Sequence, residues 1–266
     1  MPLTLHVPGK LHLRAAALPA PLHLAVGILT ARGLDWADRK AMIRLMRYLK
    51  QRDYRVEPEL TVKKLLQLTQ QTERCTTLVW NPLCVAALNT LAADASALVF
   101  ANVLRDSLGA DANASELLLP RVDLSELFPV QAARYLATRR GRIHTACGIT
   151  GIETVPGSSA AGFRLAGNPS ASEIFDQVVI ATAPYHAASL LLSAGGCDRL
   201  ARQIDELPFE PITTVYFALG AGVALPWPMI GLADGPAQWA FDRGRLGGRP
   251  GLLAMVISAR GPHEAL

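Results

Sequence analysis

An α+β fold is what the sequence predicts, and three observations predict it. Residues 36–140 carry apolar side chains at helical spacing. Residues 141–182 break into short strand-like runs separated by turn residues, and residues 212–258 return to strand patterning. Helices, then a small sheet, then a second sheet suit a chain that weaves between two domains, divided as 1–139, 140–207 and 208–266. A chain of 266 residues is long enough to bury a sizeable core in such an arrangement.

The elements follow in order. Alternating apolar and polar residues on either side of Pro8-Gly9-Lys10 predict a β-hairpin over residues 3–13. A helix is expected over 36–52, capped by Asp35 and with Asp38 in its first turn, where the helix dipole favours negative charge. Met42, Leu45, Met46 and Leu49 share one face of it; Arg39, Lys40, Arg44, Arg47 and Lys50 gather on another. That basic face is either solvated or a surface for anionic lipid. Thr61 is expected to cap a helix carrying Val62, Leu65 and Leu66. Asn81-Pro82 reads as a cap and first-turn proline, and 92–108 as a helix closed by Gly109. Strands are expected at 141–153, 163–166, 175–182, 212–219, 238–241 and 252–258, with helices at 187–192 and 198–204.

Composition narrows the class. Half of the residues are hydrophobic and only 18% are charged, a balance that suits a deep apolar cavity or faces that pack on something else. The formal charge of +4 is spread along the chain, which favours an anionic membrane surface over nucleic acid. Cys75, Cys84, Cys147 and Cys197 are scattered without a CxxC pair, so thiols in a reducing cytoplasm fit better than disulfides or a metal site. The uncharged runs at 75–93 and 211–233 are broken by Pro, Gly and Asn, and read as buried or interfacial rather than membrane-spanning.

Catalytic motifs are mostly missing: there is no GxSxG elbow, no HExxH and no P-loop. The histidines are dispersed. Gly220-Ala221-Gly222 follows a strand but lacks the third glycine and the helix that a dinucleotide loop needs, so it reads as a turn. The informative run is Phe175 through Pro184, an apolar strand that ends in Ala181-Thr182-Ala183-Pro184. Small residues there let backbone come close to a flat ligand, although buried strands ending in a turn are common.

Several segments carry a resemblance. Leu18-Pro19-Ala20-Pro21-Leu22-His23-Leu24, Trp80-Asn81-Pro82-Leu83-Cys84, Phe100-Ala101-Asn102-Val103-Leu104, Leu119-Pro120-Arg121-Val122-Asp123-Leu124, Pro184-Tyr185-His186 and Gln238-Trp239-Ala240-Phe241-Asp242-Arg243-Gly244 are similar to hydroxysqualene dehydroxylase. This family, also called squalene-associated FAD-dependent desaturase, belongs to the amine oxidase and phytoene desaturase group of flavoproteins. The resemblance implies a two-domain fold of α/β flavoprotein type. Residues 1–139 and 208–266 would then form the helical and sheet portions of a substrate domain, and 140–207 part of an FAD-binding domain.

It also implies an oxidoreductase of squalene and hopanoid biosynthesis that uses FAD to remove the hydroxyl of hydroxysqualene, a long hydrophobic isoprenoid. By the same resemblance, Ile149 presents backbone to the adenine end, and Ala181, Thr182, Ala183 and Pro184 line the flavin side. Tyr216, Trp239 and Phe241 line the substrate pocket, with sheet core as the alternative for each. Asp242 is the candidate acid, unless it pairs with Arg243 at a turn. Family members begin with a glycine-rich FAD loop and close with a second flavin-binding segment, and neither is seen here. The expectation is a fragment, with binding of FAD by the chain alone in doubt. A carotenoid-type desaturase and a non-enzymatic lipid- or partner-binding module are the competing readings. The expected location is cytoplasmic, peripheral to the inner membrane.

Overall fold

The computed structural model describes residues 1–109, 111–156, 162–167, 173–261 and 264. They form two compact units, one made of residues 1–129 and 210–266 and the other of 130–209. The chain thus leaves the first unit once and returns to it once.

In the first unit, β1 (Thr4–Val7) and β2 (Leu11–Arg14) make the expected hairpin, with Leu5, Val7, Leu11 and Leu13 buried on its inner face. Helix α1 (Leu22–Thr30), which has no acidic residue in its first turn and no side-chain cap, was not legible in the pattern. Helix α2 (Trp36–Gln51) starts at Asp35 through a capping box: Asp35 accepts from the Asp38 amide and Asp38 from the Asp35 amide. Asp38 is therefore more than a dipole charge. It is buried, and it also accepts a 2.6 Å hydrogen bond from the Thr72 hydroxyl.

Thr61 caps α3 (Val62–Leu68) as expected. A short α4 (Glu73–Cys75) runs through a π-helical turn (Thr76–Trp80) into α5 (Asn81–Leu88). Asn81 is consequently no cap, because the chain reaches it already helical. The wider π turn also makes room for Pro82, which cannot donate a helical hydrogen bond. Helix α6 (Ala97–Leu104) begins later than the apolar run suggests, since the Ser96 hydroxyl caps it through the Val99 amide. Leu45, Leu49, Val62, Leu65, Trp80, Phe100 and Leu104 from these helices join the hairpin's inner face in one core. Burying each of these side chains contributes about 1.5–3 kcal/mol.

After the short α7 (Leu124–Leu127) the chain enters the second unit. There, α8 (Pro129–Thr138), β3 (Gly151–Val155), β4 (Gly162–Ala166), α9 (Pro184–Ala194) and α10 (Asp198–Asp205) follow in order. β3 and β4 form an antiparallel hairpin, and α9 packs on β3 with the Ser193 hydroxyl accepting from the Ile152 amide at 2.8 Å. The strands expected at 141–153 and 175–182 are largely absent: regular pairing starts only at Gly151, and beyond it Phe175 alone makes an isolated bridge, to Phe163. A strand needs a neighbour to take its backbone hydrogen bonds, and among the described residues 176–182 find none.

Back in the first unit, β5 (Ile212–Ala218), β6 (Met229–Gly231), β7 (Trp239–Asp242) and β8 (Leu252–Ser258) build an antiparallel sheet in the order β5-β8-β7-β6. β6 is too short, and too closely preceded by Pro226 and Pro228, to show as an alternating pattern. Its Gly231 lies against the hairpin, where an added Cβ would sit 3.0 Å from Val7 Cγ2. Among the described residues no helix is long and apolar enough to cross a membrane.

Candidate functional site

The sheet of the first unit assembles the aromatic residues. Tyr216 on β5 and Phe241 on β7 both stand directly opposite Ala254 of β8, while Trp239 stands opposite Val256. Directly opposed residues share a face, and so do residues two apart along a strand. Tyr216, Trp239 and Phe241 therefore lie on one face, with the rings of Tyr216 and Phe241 rooted about 10 Å apart across β8. Met229 and Gly231, opposite Phe241 and Trp239, continue that face onto β6. The small side chain of Ala254 leaves space between the flanking rings.

The face is graded. Trp239 is half-buried against the core, Phe241 is half-buried, and Tyr216 is 60% exposed on a strand whose seven residues are all exposed. The indole N–H of Trp239 is buried without an acceptor among the described residues. A buried donor of this kind is uncommon.

Asp242 follows Phe241 and so points to the opposite face. It is 2% exposed, and its carboxylate accepts from the Leu225 amide at 2.9 Å and the Arg245 amide at 3.1 Å. Its ion-pair partner is Arg245, 3.6 Å away, rather than Arg243. The turn Gly244–Leu246 brings Arg245 back to the carboxylate.

The second unit holds the other five candidates. Ile149 is half-buried just ahead of β3, where the adjacent Thr150 amide bonds to the Ala166 carbonyl. Ala181 and Thr182 are exposed without regular structure, Ala183 stands at the N-cap of α9, and Pro184 opens that helix. No side chain caps α9, because alanine has no hydrogen-bonding group to offer. Small side chains ahead of an uncapped helix leave the backbone there open. Gly220-Ala221-Gly222 forms a turn in which the Val223 amide bonds to the Gly220 carbonyl. It shows no phosphate-loop geometry.

The fold defines a class. The structure resembles an oxidoreductase from Methanosarcina mazei at 11% identity, covering 87% of this chain and 54% of that one with a TM-score of 0.58. It resembles a protein from Pyrococcus furiosus at 13% identity, covering 85% and 56% with a TM-score of 0.57. A third likeness is to reduced UDP-galactopyranose mutase, at 13% identity, covering 100% and 59% with a TM-score of 0.55. The architecture is thus the mixed helix-and-sheet fold of amine-oxidase-like flavoproteins, and the chain spans little more than half the length of these structures. The model of the flavin-containing amine oxidoreductases matches residues 4–260, and the chain belongs to that family. No curated protein sequence matches it.

Proposed function

We propose that this chain serves an FAD-dependent oxidoreductase of squalene formation, one that removes the hydroxyl of hydroxysqualene to give squalene. The observation that carries the reading is the single sheet face holding Tyr216, Trp239 and Phe241, in a chain of the flavin-containing amine oxidoreductase family. Such a wall suits a long apolar chain, and its unpartnered indole N–H suits the hydroxyl that the substrate carries.

The carbon–oxygen bond breaks, the hydroxyl takes a proton and leaves as water, and hydride replaces it on carbon. Reduced flavin, when bound, supplies that hydride. Ala181, Thr182, Ala183 and Pro184 would hold the flavin edge, and Ile149 the adenine end. The aromatic wall excludes water, and Trp239 orients the departing hydroxyl. Asp242, the candidate acid by resemblance, points away from this wall and holds the Leu225 and Arg245 amides, which suits a role in the turn rather than in proton delivery. The exposed Trp36, Lys40, Ile43, Arg47 and Lys50 of α2 suit contact with the anionic membrane in which such a substrate dissolves.

Anaerobic incubation of the flavin-loaded enzyme with chemically reduced FAD and hydroxysqualene should yield squalene and oxidised flavin in equal amounts. Desaturation of phytoene by the oxidised enzyme, with no squalene formed, would replace this reading by the carotenoid-type one.

A further inference from the structure

The outer face of the β1–β2 hairpin carries a row of groups that neither the core nor the flavin reading uses. His6 is directly opposite His12 in the hairpin register. Arg32 is directly opposite His12 on its other side, joined to it by two backbone hydrogen bonds of 3.0 Å. Gly33, at φ +89°, lets the chain run this close, since a Cβ there would collide with the Lys10 carbonyl. The hairpin buries Leu5, Val7, Leu11 and Leu13 inward, so alternation turns His6, His12 and Arg32 outward on one face.

These three groups converge on a cavity. The Nδ1 atoms of His6 and His12 are 3.2 Å apart, one donating and the other accepting. Trp227 stacks on His12 with centroids 5.8 Å apart and rings inclined by 28°, and it reaches within 6.5 Å of His6. The cavity, of about 390 Å³, is lined by His6, His12, Lys10, Arg32, Gly33 and Trp227, among others.

Its charge is one-sided. Like charges directly opposite each other on a sheet are unfavourable, and this row contains no acid. Lys10 is already ion-paired with Asp234 at 2.8 Å. Arg14 lies on the same outer face, one alternation further along β2. Among the described residues the Arg32 guanidinium has no hydrogen-bond or ion-pair partner. Burial first, and then the neighbouring His6, Arg32 and Arg14, hold the His12 imidazole below its ordinary value. A metal cation would meet that positive field, and the described residues offer no cluster of three ligands.

We propose that this cavity is an oxyanion site that takes a phosphate group, free or as a lipid headgroup, between Arg32 and the His6–His12 pair with Trp227 as its wall. The planar guanidinium fork matches two phosphate oxygens. The imidazole edges supply further N–H donors to the anion. The site lies wholly in the first unit and does not depend on the flavin reading.

Imidazole proton NMR of the purified protein tests it with two probes: inorganic phosphate, and phosphatidylcholine vesicles containing phosphatidic acid. Phosphate should shift the His6 and His12 signals saturably. Arg32→Gln should weaken that response about tenfold, the loss of one charge-assisted contact, whereas Arg55→Gln, exposed and outside the cavity lining, should leave it unchanged. A response to phosphatidic acid vesicles without one to phosphate assigns a lipid headgroup instead. If neither probe moves these signals, or if Arg32→Gln binds as tightly as the unaltered protein, the proposal is overturned.

Discussion

Replacing Asp242 by alanine removes the acceptor for two backbone amides, Leu225 at 2.9 Å and Arg245 at 3.1 Å, beneath a 2% exposed side chain. A hydrogen bond to a charged group contributes about 1.5–3 kcal/mol when its loss strands the partner. The ion pair with Arg245 adds little, because it is 3.6 Å long and the arginine side chain is 47% exposed. Two stranded amides, partly reachable by water, give a loss of about 3–5 kcal/mol for Asp242→Ala. Asp242→Asn, which keeps one acceptor oxygen, should cost about half of that. Urea unfolding followed by near-ultraviolet circular dichroism measures both. A change under about 0.5 kcal/mol for the alanine variant would refute the turn-holding role. If Asp242→Asn folds normally but loses all turnover, the carboxyl acts in the chemistry; full turnover removes it as the acid.

Cys75 and Cys84 are buried, and burial pushes both thiols up to about 11. A thiol reagent at neutral pH should therefore label Cys147 and Cys197 first and the buried pair only with denaturant. The same shift sets a pH dependence. A thiol raised in the fold from its ordinary 9.0 contributes stability below that value and loses it as pH rises toward about 11, so the unfolding midpoint should fall over that window, less so in Cys75→Ala. Phe100→Ala, at a fully buried position, should cost about 3–5 kcal/mol in the same urea assay. The protein should float with anionic liposomes at low salt, and charge reversal at Lys40, Arg47 and Lys50 should abolish flotation; indifference to such liposomes would remove the membrane contact.

Local rules carried far where each element supplies its own cause. The Asp35 cap, the Thr61 cap and the strands at 212–218 and 252–258 follow from capping and from short apolar runs rich in β-branched and aromatic residues. The failures occur where a distant partner decides. Residues 176–182 have the composition of a strand, yet a strand needs a neighbour, and composition does not say whether one is there. Asn81 has a capping side chain, but the π turn before it removes the need for a cap. The aromatic face was legible as three residues and not as one surface, since register joins Tyr216 to Phe241 through Ala254. The row of His6, His12 and Arg32 escaped notice because dispersed histidines look unrelated until Gly33 brings Arg32 beside the hairpin.

The reading of the sheet face as a substrate wall rests most directly on Trp239. Titrating the purified protein with detergent-dispersed hydroxysqualene and following tryptophan emission should give saturable quenching that Trp239→Phe removes and Tyr216→Ala weakens. Identical titration curves for the unaltered protein and both variants would contradict it.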